Sequence, residues 1–314
     1  MDLGYWFYRF KYRYARELNL SKPVDVSLEL SSSCNQNCSY CYHSDQKNLP
    51  FKKGLMRTSL ALKVIHEAAE IGVNSLKMNY RGESTLHPDF ELITREAKRH
   101  AFGLTFIDRI TNSNFKFNNN NTSVFRGLAN QTKVKVSMDS FVPGVMHNQR
   151  AGSNLELCLK NIDKFYWWPK RETELVIQAV RTQLNKDEDI AGECEKRWPG
   201  VKVNINDMVT GRVEKDLSKY TVKELDPSQR QSCVQAHARL IVNWDGNVTV
   251  CCPDLASKLV VGDSNKDRID FIWKSNKAME IRKSLLNKKA FEKDPCKTCP
   301  SHESYAGFKG KWES

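Results

Sequence analysis

The chain has 314 residues, of which 40% are hydrophobic and 27% are charged. This size allows one large domain, or one large and one small, with a real apolar core. The net charge of +12 permits an acidic partner, but the basic residues are scattered, which indicates an ordinary solvated surface. No signal peptide and no run of the ~20 apolar residues that span a membrane is found, so we expect a cytoplasmic protein. Ten cysteines in such a chain are more typical of metal ligands or free thiols than of disulfides.

An aromatic and basic stretch occupies residues 5–16. Its mixture of rings and cations suits a membrane surface or a nucleic acid. Such a stretch is more often a helix packed on the rest of the protein, and we therefore predict an N-terminal helical segment over residues 1–22.

Six apolar or alternating runs predict strands, at residues 24–30, 75–80, 104–110, 134–138, 174–180 and 201–205. Amphipathic runs between them predict helices, at residues 59–71, 90–101, 123–129, 155–166 and 188–196. Strands that alternate with helices form parallel βαβ units, and six of them predict an open, partial (β/α)6 barrel. In α/β barrels the chemistry lies on loops at the C-terminal ends of the strands.

The loop after the first predicted strand contains Cys34, Cys38 and Cys41 at the spacing C-x3-C-x2-C. A cubane iron–sulfur cluster normally takes four thiolates, so three of them leave one iron open to a small molecule. A structural zinc knuckle is the alternative. Zinc pairs are usually C-x2-C or C-x4-C with a second pair close by, and no second pair follows within the next hundred residues.

The segment resembles the signature of the radical S-adenosylmethionine (SAM) enzymes, C-x3-C-x-aromatic-C, with Tyr40 at the aromatic position. The resemblance implies a [4Fe–4S] cluster whose open iron is chelated by the amino and carboxylate groups of SAM. It also implies one-electron cleavage of SAM to a 5′-deoxyadenosyl radical. The family's partial (β/α)6 barrel agrees with the predicted strands from residue 24 to residue 205.

Further motifs follow the predicted strands. Gly82 and Glu83 resemble the family's G-G-E motif, which holds the SAM amino group, although Arg81 replaces the first glycine. A glycine allows close approach to the backbone, and a glutamate suits an ammonium. Arg150 ends a stretch like the one whose arginine contacts the SAM carboxylate, for which a guanidinium fork is well suited. The expected cofactor-binding residues are Gly82, Glu83, Asn112, Ser137, Asp139, Arg150 and Gln178.

The C-terminal third carries a second group of cysteines. Two strand-like runs flank Asp245-Gly246, a strong hairpin signal, with Cys233 before the hairpin and Cys251 after it. Cys296 and Cys299 form a later C-x2-C pair. A helical face over residues 267–286 is expected to pack this part of the chain.

These cysteines resemble the extension called SPASM, or twitch in its shortened form. In that family a glycine lies five positions before the second ligand, which Gly246 and Cys251 satisfy, with Cys252 as the reserve. The resemblance implies one auxiliary [4Fe–4S] cluster on Cys233, Cys251, Cys296 and Cys299. A zinc ribbon on the same four thiolates is the alternative.

The sequence thus predicts an α/β protein with a partial barrel over residues 23–230 and a small hairpin-and-helix iron–sulfur domain over residues 231–314. The expected function is that of a radical SAM enzyme acting on a peptide or small molecule, with a flavodoxin- or ferredoxin-type electron donor. The alternative is a basic nucleic-acid-binding protein that is stabilised by zinc or a cluster and has no turnover. Nucleic acid remains the less favoured partner.

Overall fold

The structure is a computed structural model that describes residues 3–100, 106–112, 122–169, 172–208, 217–222, 233–292, 295–297 and 299. The helices among these residues are α1 (Leu3–Arg13), α2 (Thr58–Glu70), α3 (Phe90–His100), α4 (Thr122–Ala129), α5 (Pro143–Gln149), α6 (Leu155–Tyr166), α7 (Ile190–Arg197), α8 (Gln235–Ala238), α9 (Ile269–Trp273) and α10 (Asn276–Leu286). The strands are β1 (Asp25–Leu28), β2 (Asn37–Cys38), β3 (Ser75–Lys77), β4 (Phe106–Asn112), β5 (Lys133–Ser137), β6 (Arg150–Ala151), β7 (Glu174–Arg181), β8 (Lys202–Asp207), β9 (Arg239–Val242), β10 (Asn247–Thr249) and β11 (Val260–Asp263).

Nine of these strands form one sheet, in the order β11-β10-β9-β1-β3-β4-β5-β7-β8. The six strands predicted from the sequence are β1, β3, β4, β5, β7 and β8, and they pair in parallel. Helices connect them, as parallel pairing requires. No pairing between β11 and β8 closes the sheet among the described residues, so the predicted open α/β barrel is confirmed.

The apolar core lies between this sheet and the helices that follow its strands. Val26 and Leu28 of β1 have no exposed surface, and neither do Val64 and Ile65 of α2. Parallel strands buried on both faces read as apolar runs, which explains why the sequence located them well. Gly72, which follows the C-cap of α2, adopts the left-handed conformation with φ +67°, as glycine commonly does after a helix.

Helix α1 packs on the base of the sheet. Its Tyr8 and Tyr12 are buried with Val24 and Ala238, and the hydroxyl of Tyr8 donates to the Asp25 carboxylate at 3.4 Å. The other face of α1 carries exposed aromatic side chains, of which Trp6 is one. The contacts of its buried face agree with the predicted packed helix. None of the helices that the structure describes combines the length and apolar character needed to cross a membrane.

The C-terminal strands continue the barrel sheet. The predicted hairpin is present as β9 and β10, and Gly246 adopts φ +95° in its turn. However, β9 also pairs in parallel with β1, from Asp25 opposite Arg239 to Leu28 opposite Val242. The hairpin is therefore bonded to the first barrel strand and does not stand apart from it.

The helical face predicted over residues 267–286 is divided between two helices, α9 and α10. The hydroxyl of Ser275 accepts from the backbone N–H of Ala278 and caps α10, which separates it from α9. A serine whose side chain satisfies the first free N–H groups of a helix is a typical start signal. The apolar pattern continues through this break, so periodicity alone did not show it.

Candidate functional site

The first three cysteines lie in the loop after β1, at the C-terminal edge of the parallel strands. Cys38 belongs to β2, which pairs with β6 so that Cys38 is opposite Arg150. The N–H of Cys41 donates to the carbonyl of Cys38 at 2.9 Å. Burial, together with the charges of Glu83, Cys38 and Cys41, raises the pKa of the Cys34 thiol to about 12. Three thiols this close repel one another when ionised, and a cation among them removes that penalty, so the set fits a metal cluster.

Asp139 and Arg150 bind each other beside this loop. Arg150 Nε lies 2.9 Å from Asp139 Oδ2, and its Nη2 donates to Asp139 Oδ1 at 3.0 Å. Arg150 Nη1 also approaches Cys38 Sγ at 3.7 Å. The hydroxyl of Tyr40 donates to Asp139 Oδ2 at 2.5 Å, and the N–H of Val180 donates to Oδ1 at 2.9 Å. Tyr40, the aromatic residue before Cys41, is thus linked to the ends of β5 and β7 through the buried carboxylate of Asp139.

Gly82 and Glu83 lie directly against the backbone that leads into the cysteine loop. A Cβ on Gly82 would lie 2.3 Å from the carbonyl oxygen of Ser31 and 2.4 Å from that of Ser33, so only glycine fits there. The N–H of Glu83 donates to the carbonyl of Ser33 at 2.8 Å. Its buried carboxylate accepts from the N–H and the hydroxyl of Thr85 at 3.0 and 2.6 Å. The motif therefore sits beside Cys34, whose pKa it raises.

Three further expected residues form a row across neighbouring strands. Asn112 is in register with Ser137, and Ser137 is in register with Gln178. For Asn112, this position refers to the backbone only. Because the three strands are parallel, these residues occupy one level at the C-terminal edge of the sheet. The neighbouring Ser113 and Asn114 lie outside the described residues.

The C-terminal cysteines gather around Cys251. Burial raises the pKa of this thiol well above its usual value, and the charges of the other four cysteines raise it further. Those four are Cys252, Cys233, Cys299 and Cys296. The N–H of Cys299 donates to the carbonyl of Cys296 at 3.3 Å. Thiols that the sequence separates by up to 66 positions therefore lie near enough to influence one another's ionisation, and both Cys251 and Cys252 belong to the group.

Tyr42 and Tyr80 lie between the two cysteine groups. Burial raises the pKa of Tyr42 well above its usual value, with contributions from Cys41, Glu29 and Tyr80. Burial does the same for Tyr80, to which Cys252 and Cys251 contribute. The hydroxyl of Tyr80 donates to the carbonyl of Asp254 at 2.9 Å. Tyr42 thus interacts electrostatically with the first cysteine group, Tyr80 with the second, and the two phenols with each other.

Arg81, which replaces a glycine of the expected motif, joins the same elements. Its Nε and Nη2 donate to the two carboxylate oxygens of Glu29, each at 2.6 Å, and its Nη1 donates to the carbonyl of Leu255 at 2.8 Å. Glu29 also accepts from the N–H of Trp244 at 3.1 Å. Burial alone would lower the pKa of Arg81, but the hydrogen bonds and charge of Glu29 raise it. This side chain therefore holds the loop after Cys251 against the end of β1.

Two buried amides beside the cysteine loop have polar atoms without a partner in the described part of the chain. Both amide atoms of Gln149 are buried and unbonded, and so is Nε2 of Gln36. The backbone carbonyl of Gln149 accepts from the N–H of Ser39, which places this residue at the loop. Buried polar groups are nearly always hydrogen-bonded, so unbonded amides here fit a site that receives a polar ligand. The sequence reasoning named Arg150 and passed over its neighbour Gln149.

Comparisons with known proteins bear on both halves of the chain. Residues 233–300 match the SPASM family, an iron-sulfur cluster-binding domain. No curated protein sequence matches the chain. The fold is similar to that of BtrN in complex with AdoMet and 2-DOIA, with a TM-score of 0.57 and 18% identity over 88% of this chain and 93% of that one.

Two further solved structures share the fold. One is anSMEcpe with bound AdoMet, with a TM-score of 0.65 and 18% identity over 91% of this chain and 88% of that one. The other is SuiB from Streptococcus suis bound to the precursor peptide SuiA, with a TM-score of 0.65 and 12% identity over 86% of this chain and 69% of that one. The chain therefore shares the fold of these proteins and carries a SPASM domain, and both findings agree with the family predicted from the cysteine spacing.

Proposed function

We propose that this protein is a radical SAM enzyme that removes a hydrogen atom from an unactivated carbon of a peptide or small molecule. The observation that carries the proposal is the placement of two cysteine groups on either side of Tyr80 and Arg81, the first of them at the C-terminal edge of a parallel sheet. A nucleic-acid-binding protein without turnover would leave that arrangement and the row at the strand ends unexplained.

The residues of each group fit the cofactors that the fold implies. Cys34, Cys38 and Cys41 would hold a [4Fe–4S] cluster with one iron left for SAM, and Cys233, Cys251, Cys296 and Cys299 would hold an auxiliary [4Fe–4S] cluster. When bound, the first cluster and SAM supply the one-electron chemistry that generates a hydrogen-abstracting radical. A second cluster with four protein ligands suits electron transfer better than substrate binding, which favours an oxidation or a cross-link.

The surrounding residues bind and orient. Gly82 lets the backbone of Ser31 and Ser33 pack closely against it, and Ser137 and Gln178, level with the backbone of Asn112, are proposed as polar contacts for SAM. Asp139 and Arg150 were expected to contact SAM directly. Their mutual ion pair and their bonds to Tyr40 and Cys38 support a different role, in which they position the cysteine loop. The unbonded amide of Gln149 is then the better candidate for a polar contact with the ligand.

A peptide is the favoured substrate class. SuiB was crystallised with a precursor peptide, and anSMEcpe with AdoMet and the Cp18Cys peptide. BtrN, in contrast, was crystallised with 2-DOIA, so a small molecule is the second class. The electron donor is proposed to be a flavodoxin- or ferredoxin-type protein, because the first cluster requires a single electron of low potential.

The test is anaerobic reconstitution with iron and sulfide, followed by incubation with SAM and dithionite. We expect about eight irons per chain, since each cubane cluster has four, and release of 5′-deoxyadenosine. Replacing Cys34, Cys38 and Cys41 together by alanine is expected to abolish 5′-deoxyadenosine while about four irons remain. Release of 5′-deoxyadenosine by this variant, or a stoichiometric zinc at the C-terminal site of the parent protein, would contradict the assignment.

A further inference from the structure

A group of metal-ligating side chains lies on the outer helices, apart from both cysteine groups. His66 is on the exposed side of α2, and Glu96 and His100 are on α3, which packs beside it. Glu96 and His100 are four residues apart, a spacing that places them on one face of a helix. The side chains of His66, Glu96 and His100 are 49%, 20% and 31% exposed to solvent, so a hydrated ion has access to them.

The distances between their ligand atoms match those of a coordinated ion. Nε2 of His66 lies 3.4 Å from Oε1 of Glu96, and Nε2 of His100 lies 3.2 Å from the same oxygen. All three ligand atoms fall within 4.8 Å of one another. A tetrahedral zinc with bonds of about 2.0–2.1 Å separates adjacent ligands by roughly 3.3–3.4 Å. The separations of 3.4 and 3.2 Å are therefore at or close to this length.

The carboxylate is oriented by a fourth residue. Arg99 Nη1 lies 3.3 Å from Oε2 of Glu96, which leaves Oε1 towards the two imidazoles. Contacts of this kind fix metal-ligating carboxylates in known sites.

We propose that His66, Glu96 and His100 bind a divalent ion of the zinc class, with water in the fourth position, and that the ion cross-links α2 to α3. Two imidazoles and one carboxylate suit zinc, cobalt or nickel, whereas magnesium and calcium prefer oxygen ligands alone. The donors are nitrogen and oxygen, which distinguishes this site from the thiolates of the cysteine groups. An ion here stabilises two helices that flank β3 and takes no part in the radical chemistry.

The test uses the cluster-reconstituted protein and Zn²⁺ alone. We expect one zinc per chain whose X-ray absorption spectrum shows nitrogen and oxygen at about 2.0 Å and no sulfur at about 2.3 Å. His66→Ala and His100→Ala are expected to weaken binding at least tenfold and to abolish the rise in Tm that zinc causes. His147→Ala changes an exposed histidine on α5 and is the control, with unchanged affinity.

Glu96→Gln is nearly isosteric and removes only the charge, so it tests the site without a change in shape. We expect it also to weaken zinc binding at least tenfold. A zinc shell dominated by sulfur, or equal affinity in the parent protein and in the histidine variants, would overturn the proposal. In that case the three residues are a hydrogen-bonded surface group that lacks metal affinity.

Discussion

Replacing Arg81 by methionine tests whether one buried side chain ties the two cysteine groups together. The substitution removes two hydrogen bonds to Glu29 and one to the carbonyl of Leu255. It leaves the carboxylate of Glu29, which has no exposed surface, with the N–H of Trp244 as its remaining bonded partner in the described residues. Removing one partner of a buried ion pair costs about 3–5 kcal/mol, because the other charge stays buried and uncompensated.

The expected loss converts to a measurable shift. An entropy of unfolding of about 2.1 cal/mol/K per residue gives roughly 0.66 kcal/mol/K for this chain. The Tm of Arg81→Met is then expected to fall by about 5–8 °C, which scanning fluorimetry of the reconstituted protein resolves. Because Leu255 follows Cys251 by four positions, iron loss from the auxiliary site is expected before iron loss from the first.

The matched control is the double variant Glu29→Met with Arg81→Met. Replacing a buried pair by apolar side chains of similar volume is often neutral, so this protein is expected to regain much of the lost Tm. A Tm within about 1 °C of the parent for Arg81→Met, or a double variant less stable than either single one, would refute the reasoning. The first result would mean that Glu29 finds other partners when the guanidinium is removed. The second would mean that Glu29 and Arg81 each stabilise the protein through contacts other than their ion pair.

Three further predictions use other features. Cys251→Ala is expected to lose the auxiliary cluster but keep SAM cleavage, while Cys252→Ala keeps both clusters; iron counts decide, and the reverse result transfers the ligand role to Cys252. Gly82→Ala is expected to destabilise the protein by about 1–3 kcal/mol and weaken SAM binding, because its Cβ would meet backbone at 2.3 Å, whereas Gly144→Ala, with no neighbour within 4 Å, is expected to have little effect on either. Burial lowers the pKa of the His237 imidazole to about 4. The free energy of unfolding is therefore expected to keep its full value above pH 6.5 and to decrease as the pH falls towards 4, by at most about 3 kcal/mol. The urea midpoint of His237→Asn should therefore depend less on pH between 7 and 5.5 than that of the parent, and equal dependence would contradict this.

The strands and the first cysteine group were predictable because their signals are local. Apolar runs and the spacing of Cys34, Cys38 and Cys41 are read directly from the chain. The roles of Arg81 and Arg150 were not predictable in the same way. Their partners, Glu29 and Asp139, are 52 and 11 positions away, and nothing in the sequence pairs one buried charge with another.

The pairing of β9 with β1 was likewise beyond sequence reasoning. The hairpin signal at Asp245-Gly246 identified two strands, but the edge to which a hairpin adds depends on tertiary packing. Gln149 was missed for a related reason. A lone glutamine has no distinctive spacing, and it stands out only when burial shows that its amide is without a partner.

The bond between β9 and β1 also determines when the protein can be completed during synthesis. Asp25 and Arg239, an ion pair at the start of these strands, are 214 positions apart, so β1 keeps one unpaired edge until most of the chain has left the ribosome. Contacts this distant slow folding, and open strand edges favour aggregation. A chain ended before residue 233 would keep that edge permanently and is expected to aggregate on expression. The C-terminal part that carries the cysteines thus supplies the last strand to pair with the barrel. It therefore cannot be removed as a detachable module.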